Sequence, residues 1–110
     1  MEITIHALQE YLNVRYGGWA TEQGLFMKLV EECGEVAEVL NKRAGYKHSS
    51  NDDLTLELGT ELADMIHYIV AIAAINGIDL NAIMIEKDRS ASEKYHHHTN
   101  LERFLSENRR

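Results

Sequence analysis

DLTLELGTELADMIHYIVAIAAING, residues 53–77, decides the fold. Its apolar residues do not keep to one stripe. Leu54, Leu58, Met65, Ile69 and Ile72 fall on one side of a helical wheel, and Leu56, Ala63, Val70 and Ala74 on another. A helix that is apolar all round is buried on all sides. A chain of 110 residues can bury only a modest core, so this helix is expected to meet a second copy of the chain as well as its own bundle. Asp52 or Asp53 can cap its start, and Asn76-Gly77 ends it. A line of acids runs along the same helix. Glu57, Glu61, Asp64 and Tyr68 are spaced i, i+4, i+7, i+11 and share a strip about 60° wide. Like charges at i, i+4 destabilise a helix, and no Lys or Arg stands on that line.

Working outward, the preceding helix starts near Thr21. Its apolar positions are Leu25, Phe26, Leu29, Val30, Cys33, Val36, Ala37 and Leu40, with Lys42 and Arg43 in the last turn and Gly45 at the end. A first helix runs from Thr4 to about Tyr16, stops at Gly17-Gly18, and leaves Trp19 in the connection. Residues 46–53 (YKHSSNDD) are polar and read as a loop. Downstream, a fourth helix follows Asp79 to about Tyr95, and the tail from Thr99 to Arg110 can form one short helix with Leu101, Phe104 and Leu105. There is no proline, and helix formers are abundant. The expected fold is all-α: an antiparallel bundle of about four helices, one domain over residues 1–110 with residues 96–110 peripheral, assembled as a dimer or a dimer of dimers.

Charge and composition narrow the partners. Eighteen acidic against eleven basic side chains give a net charge of −7, where a nucleic-acid binder would carry a basic surplus. An acidic protein still binds phosphates when metal ions supply the positive charge. The single cysteine, Cys33, excludes an internal disulfide and suits a reducing compartment. The start MEITIHALQEY has early charge and no long apolar run, unlike a signal peptide. The apolar run Met65–Ile75 is too short to span a bilayer. The expectation is a cytoplasmic protein with no membrane and no nucleic-acid polymer as partner. His96-His97-His98 follows the helix end, and three adjacent histidines cannot all face one ion, so a solvated tail is expected. His67 points away from the acidic strip, as a core or interface histidine. Cys33 is expected to pack, and Met27, Met65 and Met84 to fill the core.

The second helix repeats the acidic theme with Glu31, Glu32, Glu35 and Glu38. Glu32 falls between Val36 and Val39 at the edge of the apolar face, Glu35 is the next step around, and Glu31 and Glu38 lie further toward solvent. A partly buried carboxylate without a counter-charge is costly or shifts its pKa. A solvated face accounts for Glu31 and Glu38 taken alone. It does not account for two E-x-x-[ED] pairs on adjacent helices, one of them at an apolar edge. Carboxylate-only ligands suit a hard cation, Mg²⁺ or Mn²⁺, whose open positions take phosphate oxygens.

With these residues in place, the sequence resembles the MazG-like all-α nucleoside-triphosphate pyrophosphohydrolases. The family pattern E-x-x-E, a spacer, then E-x-x-D reads here as Glu32-Cys33-Gly34-Glu35 and Glu61-Leu62-Ala63-Asp64, framed by KLVEECGEVAEVL and ELADMIHYIVAIA. The resemblance covers roughly Trp19 to Tyr95. It implies Glu32, Glu35, Glu61 and Asp64 as metal ligands, with Glu35 or Glu38 accepting a proton from water. It also implies Trp19 and Tyr68 near the nucleoside, and Lys87 and Lys94 near the phosphates. Some relatives carry Asn-Arg where this chain has Ala91-Ser92, and Arg89 stands nearby as a substitute. The implied reaction is Mg²⁺-dependent hydrolysis of ribo- or deoxyribonucleoside triphosphates between the α- and β-phosphates, in clearance of unwanted nucleotides. A phosphoribosyl-ATP pyrophosphohydrolase-like enzyme and an inactive helical interaction module are the alternatives. The intact carboxylate set argues against the second.

Overall fold

The computed structural model describes residues 1–49 and 53–108. Asp52 as an alternative cap, part of the 46–53 loop, and Arg109-Arg110 lie outside them. Five helices are described: α1 (Ile5–Tyr16), α2 (Glu22–Arg43), α3 (Leu54–Ile75), α4 (Leu80–Lys94) and α5 (Leu101–Glu107). Each begins on a residue whose side chain accepts a backbone N–H in the first turn: Thr4, Thr21, Asp53, Asp79 and Asn100. Thr21 needs no glutamate three residues on; its hydroxyl accepts directly from Gly24 N at 3.0 Å.

α2 and α3 form the most extensive helix pair, and α1 packs across α3. The α2–α3 pair is antiparallel: Leu25 near the start of α2 shares a core with Val70, Ala71 and Ala74 near the end of α3. At the opposite end, Lys42 Nζ lies 3.5 Å from Glu57 Oε1. That pairing supplies from the neighbouring helix the counter-charge that the α3 strip itself lacks. The core centres on Leu12, Tyr16, Leu25, Val70, Ala71 and Ala74. Leu12 is fully buried.

At the end of α3, Gly77 takes φ +65°. This lets Gly77 N and Ile78 N donate back to Ala74 O and Ala73 O. The turn is then gripped by α1. Gln9 Nε2 donates to Ile78 O at 2.6 Å, Leu80 N donates to Gln9 Oε1 at 3.1 Å, and His6 Nε2 meets Asp79 Oδ1 at 3.0 Å. From this joint α4 leaves the α1–α3 unit, its main contacts being with α5 and α1.

The chain is therefore expanded. Its radius of gyration is 17.2 Å, against about 13 Å for a compact domain of this length. Phe26, Met27, Val30 and Leu40 on α2, Leu56, Leu62, Ile66 and Ile69 on α3, and Met84 on α4 are exposed. Met27, Met84 and Cys33, expected to be packed, lie open in the single chain. The periodicity marks apolar faces correctly but does not tell which are covered from within. The membrane expectation also changes. Apolar positions from Leu54 onward extend the Met65–Ile75 run, so α3 as a whole is long and apolar enough to cross a membrane by length and composition. Core helices of bundles meet the same criterion, and α3 packs on both α1 and α2.

Candidate functional site

Midway along the α2–α3 pair, Glu32 faces Glu61 and Asp64. One carboxylate oxygen from each lies within 4.8 Å of the others, and all three residues are half-buried. Glu32 Oε2 is buried and has no hydrogen-bond partner among the described residues. An acceptor in that condition costs about 1–3 kcal/mol, and more when charged. Glu61 records the crowding. Its pKa is raised, first by the hydrogen bond shared with Glu32, then by burial and by the charges of Glu32, Asp64 and Glu57. A divalent cation would relieve all of this at once. An oxygen-only donor set with an orphaned buried oxygen fits a hard ion such as Mg²⁺ or Mn²⁺.

The other acids of α2 differ in their situations. Glu35, one turn beyond Glu32, is exposed, outside the triad, and has no ion pair among the described residues. Glu38 pairs with Lys47, and that hydrogen bond, followed by the charges of Lys47 and Lys42, lowers its pKa. A carboxylate held anionic in this way is a weaker proton acceptor. Glu31 meets Lys28 at 3.3 Å.

Beside the triad opens a cavity of about 480 Å³, walled by Tyr16, Trp19, Leu25 and Tyr68 with Arg15 and Lys28. Tyr68 belongs to both places: it stands one turn beyond Asp64 on α3 and lines the cavity. Burial is the main influence raising its pKa, so its hydroxyl stays protonated near neutrality. Trp19 is fixed by its indole N–H, which donates to Arg15 O at 2.7 Å, and its ring lies 5.7 Å from that of Tyr16. Behind the wall, Tyr16 Oη and His67 Nε2 are 2.7 Å apart. The His67 ring meets both Tyr16 and Tyr68 edge-on. Burial, then Arg15, lowers the His67 pKa, keeping the ring neutral at pH 7. The expected core histidine is thus a brace for two cavity aromatics.

The sequence pattern of the MazG nucleotide pyrophosphohydrolase domain matches residues 20–100. The chain belongs to the MazG nucleotide pyrophosphohydrolase family. YvdC of Bacillus subtilis (strain 168), an uncharacterized protein, is 32% identical over 89 residues, covering 73% of this chain and 83% of that one. The crystal structure of iMazG from Vibrio DAT 722 is similar with a TM-score of 0.66 at 26% identity, covering 86% of this chain and all of that one.

Within this MazG domain, the single chain joins Glu32, Glu61, Asp64, Tyr68 and Trp19 into one region. It does not bring in the α4 residues. Lys87 borders a separate depression with Met84 and Leu101, and Lys94 stacks over Tyr95 at 5.4 Å. Arg89 is engaged elsewhere, bridging Glu86 at 2.6 Å and Glu102 at 2.7 Å. Arg15, Tyr16 and Lys28 were missed from sequence. Lys28 carried a signal, since it precedes Glu32 by one turn. Arg15 and Tyr16 carried none, because the way α1 crosses α3 sets their position.

Proposed function

We propose that this MazG domain hydrolyses nucleoside triphosphates, deoxyribonucleotides included, between the α- and β-phosphates, releasing a nucleoside monophosphate and pyrophosphate. The observation that carries the proposal is the convergence of Glu32, Glu61 and Asp64, with an unpartnered buried oxygen, next to an aromatic-walled cavity of nucleoside size. Glu32, Glu61 and Asp64 would hold Mg²⁺, with Mn²⁺ as a substitute, and Glu35 stands one turn away to join them. When bound, the ion supplies an electrophilic pull on the phosphoryl group and a more acidic water. The chain's own part is to orient the nucleoside against Trp19 and Tyr68 and to take the proton of the attacking water. Glu35, with no ion pair among the described residues, suits that second task better than Glu38, which Lys47 occupies. Lys87 and Lys94 would reach the phosphates from α4 of a second copy, in a dimer or a dimer of dimers. The setting would be the cytoplasm, and the role removal of unwanted nucleotides.

A panel of ribo- and deoxyribonucleoside triphosphates, incubated with Mg²⁺ or with EDTA and resolved by chromatography, tests this. Monophosphate plus pyrophosphate, abolished by EDTA, is the expected outcome. Diphosphate plus phosphate would refute the assigned cleavage position.

A further inference from the structure

We infer that Gln9 of α1 is a positioning residue: its carboxamide fixes the direction in which α4 leaves the bundle, and so where Lys87 and Lys94 arrive. The inference rests on the proposed function in one respect, that these two lysines serve the phosphates. The connection from α3 to α4 has little stiffness of its own. It is four residues long, 76–79, with Gly77 at φ +65° and open space where a side chain would stand. Short connections of this kind are where a chain absorbs a change of direction. Among the described residues α4 packs chiefly on α5 and α1 rather than on α3. α5 does not brace it, because α5 is tied to α4 itself: Arg89 bonds Glu102, and Leu101 N donates to Asp88. The hydrogen bonds that tie α4 to α1 are made at Asp79 and Leu80.

Gln9 holds that start on both sides of Asp79. Its Nε2 donates to Ile78 O at 2.6 Å, and its Oε1 accepts from Leu80 N at 3.1 Å. A carboxamide carries donor and acceptor at one planar end, so one side chain grips the last link of the turn and the first residue of the helix together. Leu80 N is among the first-turn donors that a helix leaves unpaired. The neighbouring tie is weaker. His6 Nε2 lies 3.0 Å from Asp79 Oδ1, but both side chains are exposed, a class of pair that contributes little. Gln9 is half-buried, and both its partners are backbone atoms. The length of α4 then acts as a lever. Lys87 and Lys94 stand seven and fourteen residues beyond Leu80, about 10 and 21 Å along the helix axis. A swing of about 10° at the joint carries their backbones by roughly 2 and 4 Å. Misplacing a group by about 1 Å can cost a hundredfold in rate.

The test separates aim from stability. Gln9→Leu should lower kcat/KM about tenfold, a loss bounded by what the two lysines contribute. In the Lys87→Ala/Lys94→Ala background the same substitution should change kcat/KM by less than about twofold, because nothing is left to aim. An unchanged kcat/KM in Gln9→Leu, or an equal loss with and without the lysines, would overturn the inference while leaving pyrophosphohydrolysis standing. Should Gln9→Leu not fold, Gln9→Glu, of the same shape but without the donor to Ile78 O, is read by the same criteria. The aim itself is measured as the distance between spin labels at Val14→Cys on α1 and Glu93→Cys on α4, both exposed positions, in a Cys33→Ser chain diluted with unlabelled copies. The expected result is one narrow distance that shifts or broadens when Gln9 is replaced. A distribution alike in both proteins would overturn the inference. Absence of hydrolysis with every nucleotide would refute the functional proposal, and the distance measurement then decides alone whether Gln9 aims α4.

Discussion

The α2–α3 face gathers three carboxylates and the α4 arm carries the two lysines proposed for the phosphates, and the two are built by opposite means. Glu32, Glu61 and Asp64 are brought together by two long helices of one chain, packed antiparallel. Lys87 and Lys94 stand on a helix that leaves the core at the Gln9-gripped turn and meets little besides α1 and α5. The acidic triad is thus assembled within one chain, whereas that chain does not bring the proposed basic residues to it. The exposed apolar residues of α2 and α3 point the same way. A radius of gyration of 17.2 Å is what an arm held out from a three-helix unit produces.

Several substitutions would break or sharpen this contrast. The largest effect is expected on the acidic face: Glu61→Ala should lower kcat/KM by about a thousandfold, several kcal/mol of barrier, measured by pyrophosphate release. Next is the packing that holds that face. Leu12→Ala removes a fully buried side chain and should cost about 3 kcal/mol in urea unfolding, well above Leu101→Ala on the partly exposed arm. A smaller effect belongs to the arm itself. Lys87→Ala should reduce kcat/KM about tenfold, the loss of one charge-assisted contact, with the melting temperature unchanged. Refolding it together with Glu61→Ala should recover hydrolysis, because one site of a mixed dimer keeps both groups. No recovery would return the whole site to one chain.

The smallest effect is one of pH. Glu61 has a raised pKa in the folded protein, from its contact with Glu32 first. Its contribution to stability is full below the ordinary carboxylate value and is lost as pH rises through the raised value. Glu38, lowered by Lys47, works the other way: its contribution is present above the ordinary value and is lost as pH falls through the lowered one. In EDTA, Glu61→Gln should flatten the loss of melting temperature on the less acidic side of the carboxylate range and leave the decline on the more acidic side.

Much of this was legible in the sequence, for identifiable reasons. Helix limits followed from side chains that cap, such as Thr4, Thr21 and Asp79, and from Gly45 and Gly77 at the ends. The E-x-x-D spacing put Glu61 and Asp64 on one helix face, where Glu32 of α2 meets them, whereas Glu35, the second glutamate of E-x-x-E, is exposed and outside the triad. What periodicity could not show was which partner covers an apolar face. Met27, Met84 and Cys33 are apolar at helical spacing, yet open in the single chain. Nor could it place residues whose location depends on a crossing angle. Arg15 and Tyr16 reach the cavity only because α1 lies across α3, and the Tyr16–His67 contact spans 51 residues of sequence. The counter-charge on Glu57 escaped notice for the same reason, since Lys42 belongs to the neighbouring helix.

Calorimetric titration of the metal-free protein with Mn²⁺, compared with Glu61→Gln under the same conditions, tests the central claim most directly. The account requires binding to the unchanged chain and its loss in the variant, which keeps the side chain's size but removes its charge from the triad. Equal binding by both proteins, or no binding by either, would contradict a cation site built from Glu32, Glu61 and Asp64.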